Sequence, residues 1–347
     1  VPELPEVETV ANGVHARVRG QRIAGAWFSS KPEPMKTAPA VMERMLTGSR
    51  ILRVHRVGKT VVFDLERGGK SKEDAGFSTA SVRRRRTDSG RNDSSNFGRN
   101  DSSNFGRNDS STFGRNDSSN FGRNERSTFD GNDNSFFQWL VHLGMTGQLL
   151  VAHPDMARPP HTHAVLSLAG GREVRFVDPR RFGRLSIYQG TGNGQQAVAS
   201  KNHVLFTGSG AEPLTIGVND FAELFRGRAT PIKSALLNQK LLHGVGNIYA
   251  DEALFRAGVR PTRRAARMTR AEMEKLRVGL VEVLRQAIKL GGSSVSDYVD
   301  ADGAKGFFQL EHRVYQRTGQ PCRVCGSPIR RKVIGGRSSH FCPQCQR

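Results

Sequence analysis

Apolar positions near the amino end recur three and four residues apart. Val7, Val10, Ala11, Val14 and Val18 fall on one face of a helix, and Gly20 stands just past its end. Pro5 near the start, with Glu6 and Glu8 behind it, suits a helix N-terminus: proline gives up no needed N–H there, and a carboxylate meets the positive end of the dipole. The period then changes. Residues 22–28, 50–66 and 136–151 are rich in Val, Ile, Leu and Phe, often alternating, and "HAVLSL" and "REVRFVD" continue the pattern across 163–178. These segments predict the strands of an all-β unit behind the first helix. From about 218 to 290 helical spacing returns in "DFAELFRG", "PIKSALLNQ" and "RAEMEKLRVGLVEVLRQAIKLGG". A Gly/Ser/Asp-rich stretch, 291–306, separates these helices from the last segment.

One region fits neither period. "GRNDSSNF" begins at Gly90 and returns with small changes at Gly98, Gly106, Gly114 and Gly122. A fixed repeat suggests a β-solenoid. Each unit, however, offers one Phe and no aliphatic residue, too little apolar area to offset the entropy of ordering it. Residues 70–134 therefore read as a disordered insertion between strands, and their Arg and Phe are of a kind that contacts nucleic acid.

The 347 residues are enough for two or three domains with real cores. Hydrophobic residues make up 36%, with no apolar run of membrane-spanning length. The first thirty residues lack a basic-then-apolar secretory pattern, so a cytoplasmic protein without a membrane partner is expected. The formal charge is +21, which calls for a polyanionic partner, nucleic acid above all. Only +2 of it falls in residues 70–134, where twelve Lys/Arg face ten Asp/Glu. The basic character thus belongs to the folding part of the chain, as a shaped surface requires.

The chain has four cysteines: Cys322, Cys325, Cys342 and Cys345, two C-x2-C pairs sixteen residues apart. In a reducing compartment this spacing reads as a tetrahedral Zn2+ site; two disulfides are the alternative. Four thiolates close the coordination sphere, so the ion is structural and leaves no position for a substrate.

Several stretches, in order, carry a family resemblance: "PELPEVE", "VGKTVVFDL", "HLGMTGQL", "DPRRFGRL", "LLHGVGNIYADEALFRAGVRP", "DYVDADGAKGFFQ" and "GGRSSHFCPQC". The chain resembles the bacterial formamidopyrimidine-DNA glycosylases, base-excision repair enzymes of the helix–two-turns–helix group, nearly everywhere outside 70–134. The resemblance implies a multidomain α+β fold: an N-terminal helix plus β-sandwich over 1–200, interrupted by 70–134; a helix–two-turns–helix domain over 212–290; a lesion-recognition loop over 291–313; and a zinc β-hairpin over 314–347. It implies a monomer acting on double-stranded DNA that carries an oxidised purine or an abasic site.

By the same resemblance Pro2 is the nucleophile, its secondary amine attacking C1′ of the damaged nucleotide. The chemistry is sound, since a terminal amine has a pKa of about 8 against about 10.4 for lysine. The resulting imine is an electron sink that makes β,δ-elimination of both phosphates feasible. Val1 would make that nitrogen an amide, so Val1 is expected to be a translated GUG start codon, trimmed from the mature chain. Glu3 is implied as general acid/base, Glu6 as its support, and Lys59 as a group close to the lesion phosphate and sugar; Thr60 stands where the family commonly has an aromatic residue. Met145 and Phe182 would fill the space of a flipped-out base while Arg180 bonds the orphaned cytosine. Asn247, in the turn before a helix, and Arg337, at the tip of the cysteine hairpin, would hold phosphates; the free N–H groups of the helix after Asn247 suit an anion as well.

Two other readings compete. Endonuclease VIII, a sister family for oxidised pyrimidines, typically begins Pro-Glu-Gly, whereas Leu4 stands here. The stretch "SSVSDYVDADGAKGFF" resembles the loop that recognises oxidised purine, with Ser293 and Ser294 in place of the more usual threonines. A zinc-ribbon module that binds DNA without catalysis would use the same charge, ribbon and wedge. Only Pro2 and Glu3 separate it from the enzyme.

Overall fold

Packing starts from helix α1, Leu4–Val18, which serves two cores at once. Leu4 is buried among the helices of the C-terminal half, while Val7, Val10, Val14 and Val18 are buried against strands. Gly20 leaves the helix at φ +79°, a conformation open to glycine at no steric cost. The computed structural model describes residues 2–67, 135–189, 205–295 and 298–347. Val1 and the repeat insertion lie outside the described residues, and so do the expectations made for them.

Two antiparallel four-stranded sheets face each other over the first core. One is ordered β1-β6-β7-β5, from β1 (Ile23–Phe28), β5 (Gln148–Ala152), β6 (Thr162–Leu168) and β7 (Glu173–Val177). The other is β2-β3-β4-β8, from β2 (Arg50–Val57), β3 (Thr60–Arg67), β4 (Ser135–His142) and β8 (Arg184–Tyr188). Trp139, Phe63, Phe137 and Phe176 fill the space between them. A short helix, α2 (Pro39–Leu46), adds Met42, Met45 and Leu46 to the same core.

Two apolar stretches that read as single segments are each two strands. The 50–66 run turns at Gly58 and Lys59, with Gly58 at φ +59°. The 136–151 run turns between Leu143 and Gly147 and crosses from one sheet to the other. A continuous apolar run hides such turns, because both sides of each are buried.

Strands β3 and β4 pair along their whole length, from Thr60 opposite His142 to Arg67 opposite Ser135. The chain therefore leaves the sheet at Arg67 and re-enters at Ser135, at the end opposite Lys59 and His142. Seven strand steps separate the two ends, about 24 Å.

The helical half consists of α3 (Val218–Phe225), the five-residue α4 (Ile232–Leu236), α5 (Asn247–Arg256) and α6 (Arg270–Lys289). Their core is built from Phe221, Phe225, Tyr249, Leu254, Leu276, Leu280 and Leu284, with Phe308 from the following segment. Thr269 caps α6 by accepting from the Glu272 N–H, while the Glu272 carboxylate accepts from the Thr269 N–H. The chain ends in a hairpin, β9 (Arg330–Ile334) and β10 (Arg337–Phe341), turned by Gly335 and Gly336, both at positive φ. No described helix is long and apolar enough to cross a membrane.

Candidate active site and nucleic-acid interface

The amino end is drawn into the seam between the two cores. Leu4 N–H donates to the Gly244 carbonyl at 2.9 Å, and Glu3 N–H donates to Glu6 Oε2 at 2.8 Å. Pro2 and Glu3 are both buried. The Glu3 carboxylate points at the start of α5, accepting from the Ile248 N–H at 3.1 Å and the Tyr249 N–H at 3.5 Å. Gly246, which precedes α5, must lack a side chain: a Cβ there would lie 2.2 Å from Glu3 Cδ. Two of the N–H groups expected to be free for a phosphate, those of Ile248 and Tyr249, are thus taken by Glu3. Asn247 is the first residue of α5 rather than part of the turn ahead of it.

Burial dominates the electrostatics here. Desolvation raises Glu3 to about 7; the Lys59 charge opposes this, Glu6 adds to it, and the two backbone N–H bonds oppose it. Glu6 is also raised, by burial first, although it accepts from the Tyr249 hydroxyl and the Ser293 N–H. Lys59, on the β2–β3 turn, is lowered by burial and by the nearby Arg337, while Glu3 and Glu6 pull it back. Glu3, Lys59 and Arg337 therefore share one electrostatic site although they are 56 and 278 residues apart in the chain. His142, which sequence reasoning passed over, sits opposite Thr60 on β4; burial lowers its pKa, and Arg184 and Lys59 add to the effect.

Met145 and Phe182 are the reverse of core fillers. They are 37% and 52% exposed, on two loops at the same end of the sandwich, and the Arg180 guanidinium lies over the Phe182 ring at 4.8 Å from its centre. Arg181 between them adopts φ +56° and pairs with Glu33 at 2.8 Å.

The four cysteine sulfurs lie within 4.8 Å of one another. Cys322 Sγ is 3.8 Å from Cys345 Sγ and Cys325 Sγ is 3.4 Å from Cys342 Sγ, too far for disulfides at about 2.05 Å. Thiolates about 2.3 Å from a tetrahedral ion stand about 3.8 Å apart, so the set fits one structural Zn2+. The Val324 and Cys345 N–H groups aim at Cys322 Sγ and Cys342 Sγ, as thiolate acceptors require.

Arg337 is the first residue of β10, immediately past the hairpin turn. A buried charge cluster, also missed from the sequence, docks that strand on the helices. Lys233 Nζ lies 2.6 Å from Asp251 Oδ1 and donates to the Ser338 carbonyl at 2.8 Å, while the His340 N–H donates to Asp251 Oδ2 at 2.9 Å. Both side chains of the ion pair are fully buried. Replacing one partner strands the other charge, so Lys233→Met should lose about 3–5 kcal/mol of unfolding free energy in a denaturant titration.

A sandwich and a helical bundle that together bury Pro2 and Glu3, beside exposed Met145 and Phe182 and a four-cysteine hairpin, match a class of DNA-repair glycosylases. Three family models match along the chain. They are the formamidopyrimidine-DNA glycosylase N-terminal domain over 1–78 and 128–185, the H2TH domain of the same enzymes over 210–299, and a zinc finger found in FPG and IleRS over 319–347. The chain belongs to the formamidopyrimidine-DNA glycosylase family. It is 38% identical to the formamidopyrimidine-DNA glycosylase of Solibacter usitatus and 35% identical to that of Gluconobacter oxydans, each over all of both chains. Among solved structures it is similar to the MutM (Fpg) protein of Thermus thermophilus, with TM-score 0.67 and 33% identity over 99% of this chain and 98% of that one. It is also similar to a wild-type Lactococcus lactis Fpg (MutM) in complex with N7-Benzyl-Fapy-dG containing DNA, with TM-score 0.69 and 26% identity over all of both chains.

Proposed function

We propose that this chain excises oxidised purines from double-stranded DNA and then cuts the strand, with Pro2 as nucleophile. The observation that carries the reading is the buried Glu3, held on the N-terminus of α5 one residue from Pro2 and within the field of Lys59, which in turn feels Arg337. In the first step the Pro2 nitrogen forms a bond to C1′ and the C1′–base bond breaks. The purine leaves with the electron pair and takes up a proton. Protonated Glu3 assists by donating to the ring oxygen as the sugar opens, leaving an iminium between Pro2 and C1′. Loss of a C2′ proton then expels the 3′ phosphate, and a second elimination expels the 5′ phosphate. Lys59 and Arg337 balance the charge of the phosphates that depart.

Met145, Arg180 and Phe182 support base flipping, because exposed apolar groups on a basic face serve best by filling a vacated stack. Asn247 serves as a phosphate contact at the head of α5. Action as a monomer and the cytoplasmic location, both expected from the sequence, belong to the same proposal. Purine lesions are favoured over the endonuclease VIII alternative by Leu4 and by the 293–308 stretch. Solved relatives are described with Fapy-dG and carbocyclic 8-oxo-G DNA, and one with an oxidised pyrimidine.

The test is borohydride reduction of native protein mixed with a duplex containing 8-oxoguanine opposite cytosine, with the intact mass of the protein determined alongside. The expected result is a covalent protein–DNA adduct on a chain that begins at Pro2. A duplex bound without any adduct would leave the zinc-ribbon binding module as the surviving reading. Active protein that retains Val1 would remove Pro2 from its role.

A further inference from the structure

The two wedge loops have a problem that strand pairing alone does not solve. The first, Leu143 to Gly147, leaves β4 in one sheet and enters β5 in the other. The second, Asp178 to Gly183, leaves β7 in the second sheet and enters β8 in the first. Each crosses between sheets, so the backbone ladders fix where the loops begin and end but not how their tips sit against each other. Met145 on one tip must nevertheless enter DNA beside Arg180 and Phe182 on the other.

Asp178 supplies the missing constraint. Its side chain is fully buried, and both oxygens are used. Oδ1 accepts from the Thr146 hydroxyl at 2.6 Å and from the Arg180 N–H at 3.3 Å; Oδ2 accepts from the Gly183 N–H at 2.7 Å. One carboxylate thus holds the first loop through the neighbour of Met145 and holds the second on both sides of Phe182. Asp178 is itself anchored, its N–H donating to the His161 carbonyl at 3.0 Å and its carbonyl lying 3.1 Å from the ring of buried His163. On the other side of Met145 the loops touch backbone to backbone: a Cβ on Gly144, at φ +65°, would lie 2.5 Å from the Phe182 carbonyl carbon. Met145 is bracketed, by the Gly144–Phe182 contact before it and the Thr146–Asp178 bond after it.

We infer that the Thr146–Asp178 hydrogen bond is a positioning device that locks the two loops into one wedge, so that Met145, Arg180 and Phe182 enter the duplex as a unit. This rests on the wedge reading above, and it adds two positioning residues to that reading. Neither needs to touch DNA. The bond matters when the helix is opened, and matters much less once the nucleotide is already extrahelical and lacks its base.

The test uses full-length, zinc-loaded protein in single-turnover assays with two duplexes, one carrying 8-oxoguanine opposite cytosine and one a preformed abasic site. Thr146→Val, which keeps the shape and deletes the hydroxyl, should slow base release about tenfold and change abasic cleavage less than twofold. Thr146→Ser restores the hydroxyl and should return base release to within twofold of wild type. In a Met145→Ala background Thr146→Val should cost less than twofold, because the residue it positions is gone. A full tenfold loss in that background, or a serine variant as slow as the valine one, overturns the inference and leaves Met145 as wedge untouched. Base release unaffected by Met145→Ala alone overturns the wedge reading itself, a separate and distinguishable result.

Discussion

Glu3→Gln is expected to slow base release by about 10²- to 10⁴-fold and to remove one limb of the pH profile. The protein is expected to stay folded, because a glutamine carbonyl still accepts from the Ile248 and Tyr249 N–H groups that hold the carboxylate now. The sign of the stability effect supports that. Burial raises Glu3 in the folded state from 4.5 to about 7, so its contribution to stability is fully present below the unfolded value and is lost as pH rises through about 7. A neutral glutamine has no such loss, and above pH 7 the variant should melt no lower than wild type.

Activity follows opposite demands. In the proposed mechanism the Pro2 amine must be unprotonated to attack, which favours pH above an ordinary terminal amine's value of about 8. Glu3 must carry its proton to donate it, which favours pH below about 7. Wild-type kcat/KM should therefore be bell-shaped, with its optimum between the two values and with roughly one molecule in twenty in the competent state there. Glutamine in place of Glu3 removes the alkaline fall and leaves only the rise toward the amine's pKa. Stopped-assay profiles from pH 5.5 to about 9.5 in both proteins check this. A profile of the glutamine variant that still falls above pH 7 would mean that another acid donates the proton.

What could be seen in the sequence, and what could not, divides by distance along the chain. The face of α1 was visible because helical periodicity is local, and the four cysteines because both pairs keep metal-ligand spacing within 26 residues. Pro2, Glu3, Met145, Arg180 and Phe182 stood out only through a resemblance spread over several stretches. The charge sharing of Glu3, Lys59 and Arg337 could not be read off, because it depends on three separate elements meeting. The same holds for Asp178, which passes for one more acid in "DPRRFG" until Thr146 is seen against it, and for Lys233, whose partner is 18 residues on and whose carbonyl acceptor is at Ser338. That Glu3 takes two N–H groups of α5 was hidden in the sequence as well. A helix N-terminus binds any anion that reaches it, and here the protein's own Glu3 reaches it first.

Removing zinc should be as damaging as removing Arg337, and for the same reason. The core beneath the hairpin is small: Phe255, Val314, Cys322, Ile329 and Cys342, with Cys345 packed against it. So little apolar area does not order a segment of this length alone, whereas thiolate coordination contributes about 10–16 kcal/mol in comparable fingers. The Lys233–Asp251–His340 cluster then has nothing rigid to dock, and Arg337 loses its aim at the site it shares with Lys59. Chelation of the wild-type protein is expected to release one Zn2+ per chain and to lower cleavage of a lesion duplex by at least about 10²-fold, while the cores of the sandwich and the helices still melt cooperatively. Arg337→Ala with zinc retained should fall by a similar factor, and Arg337→Lys by less, since an ammonium keeps the charge and loses the paired donors. Should the chelated protein cleave as fast as the zinc form, the hairpin would not be what positions Arg337. If chelation proved far worse than Arg337→Ala, the ribbon would have to contribute a second contact, and exposed Arg330, Arg331 and Lys332 on β9 are the residues to replace next.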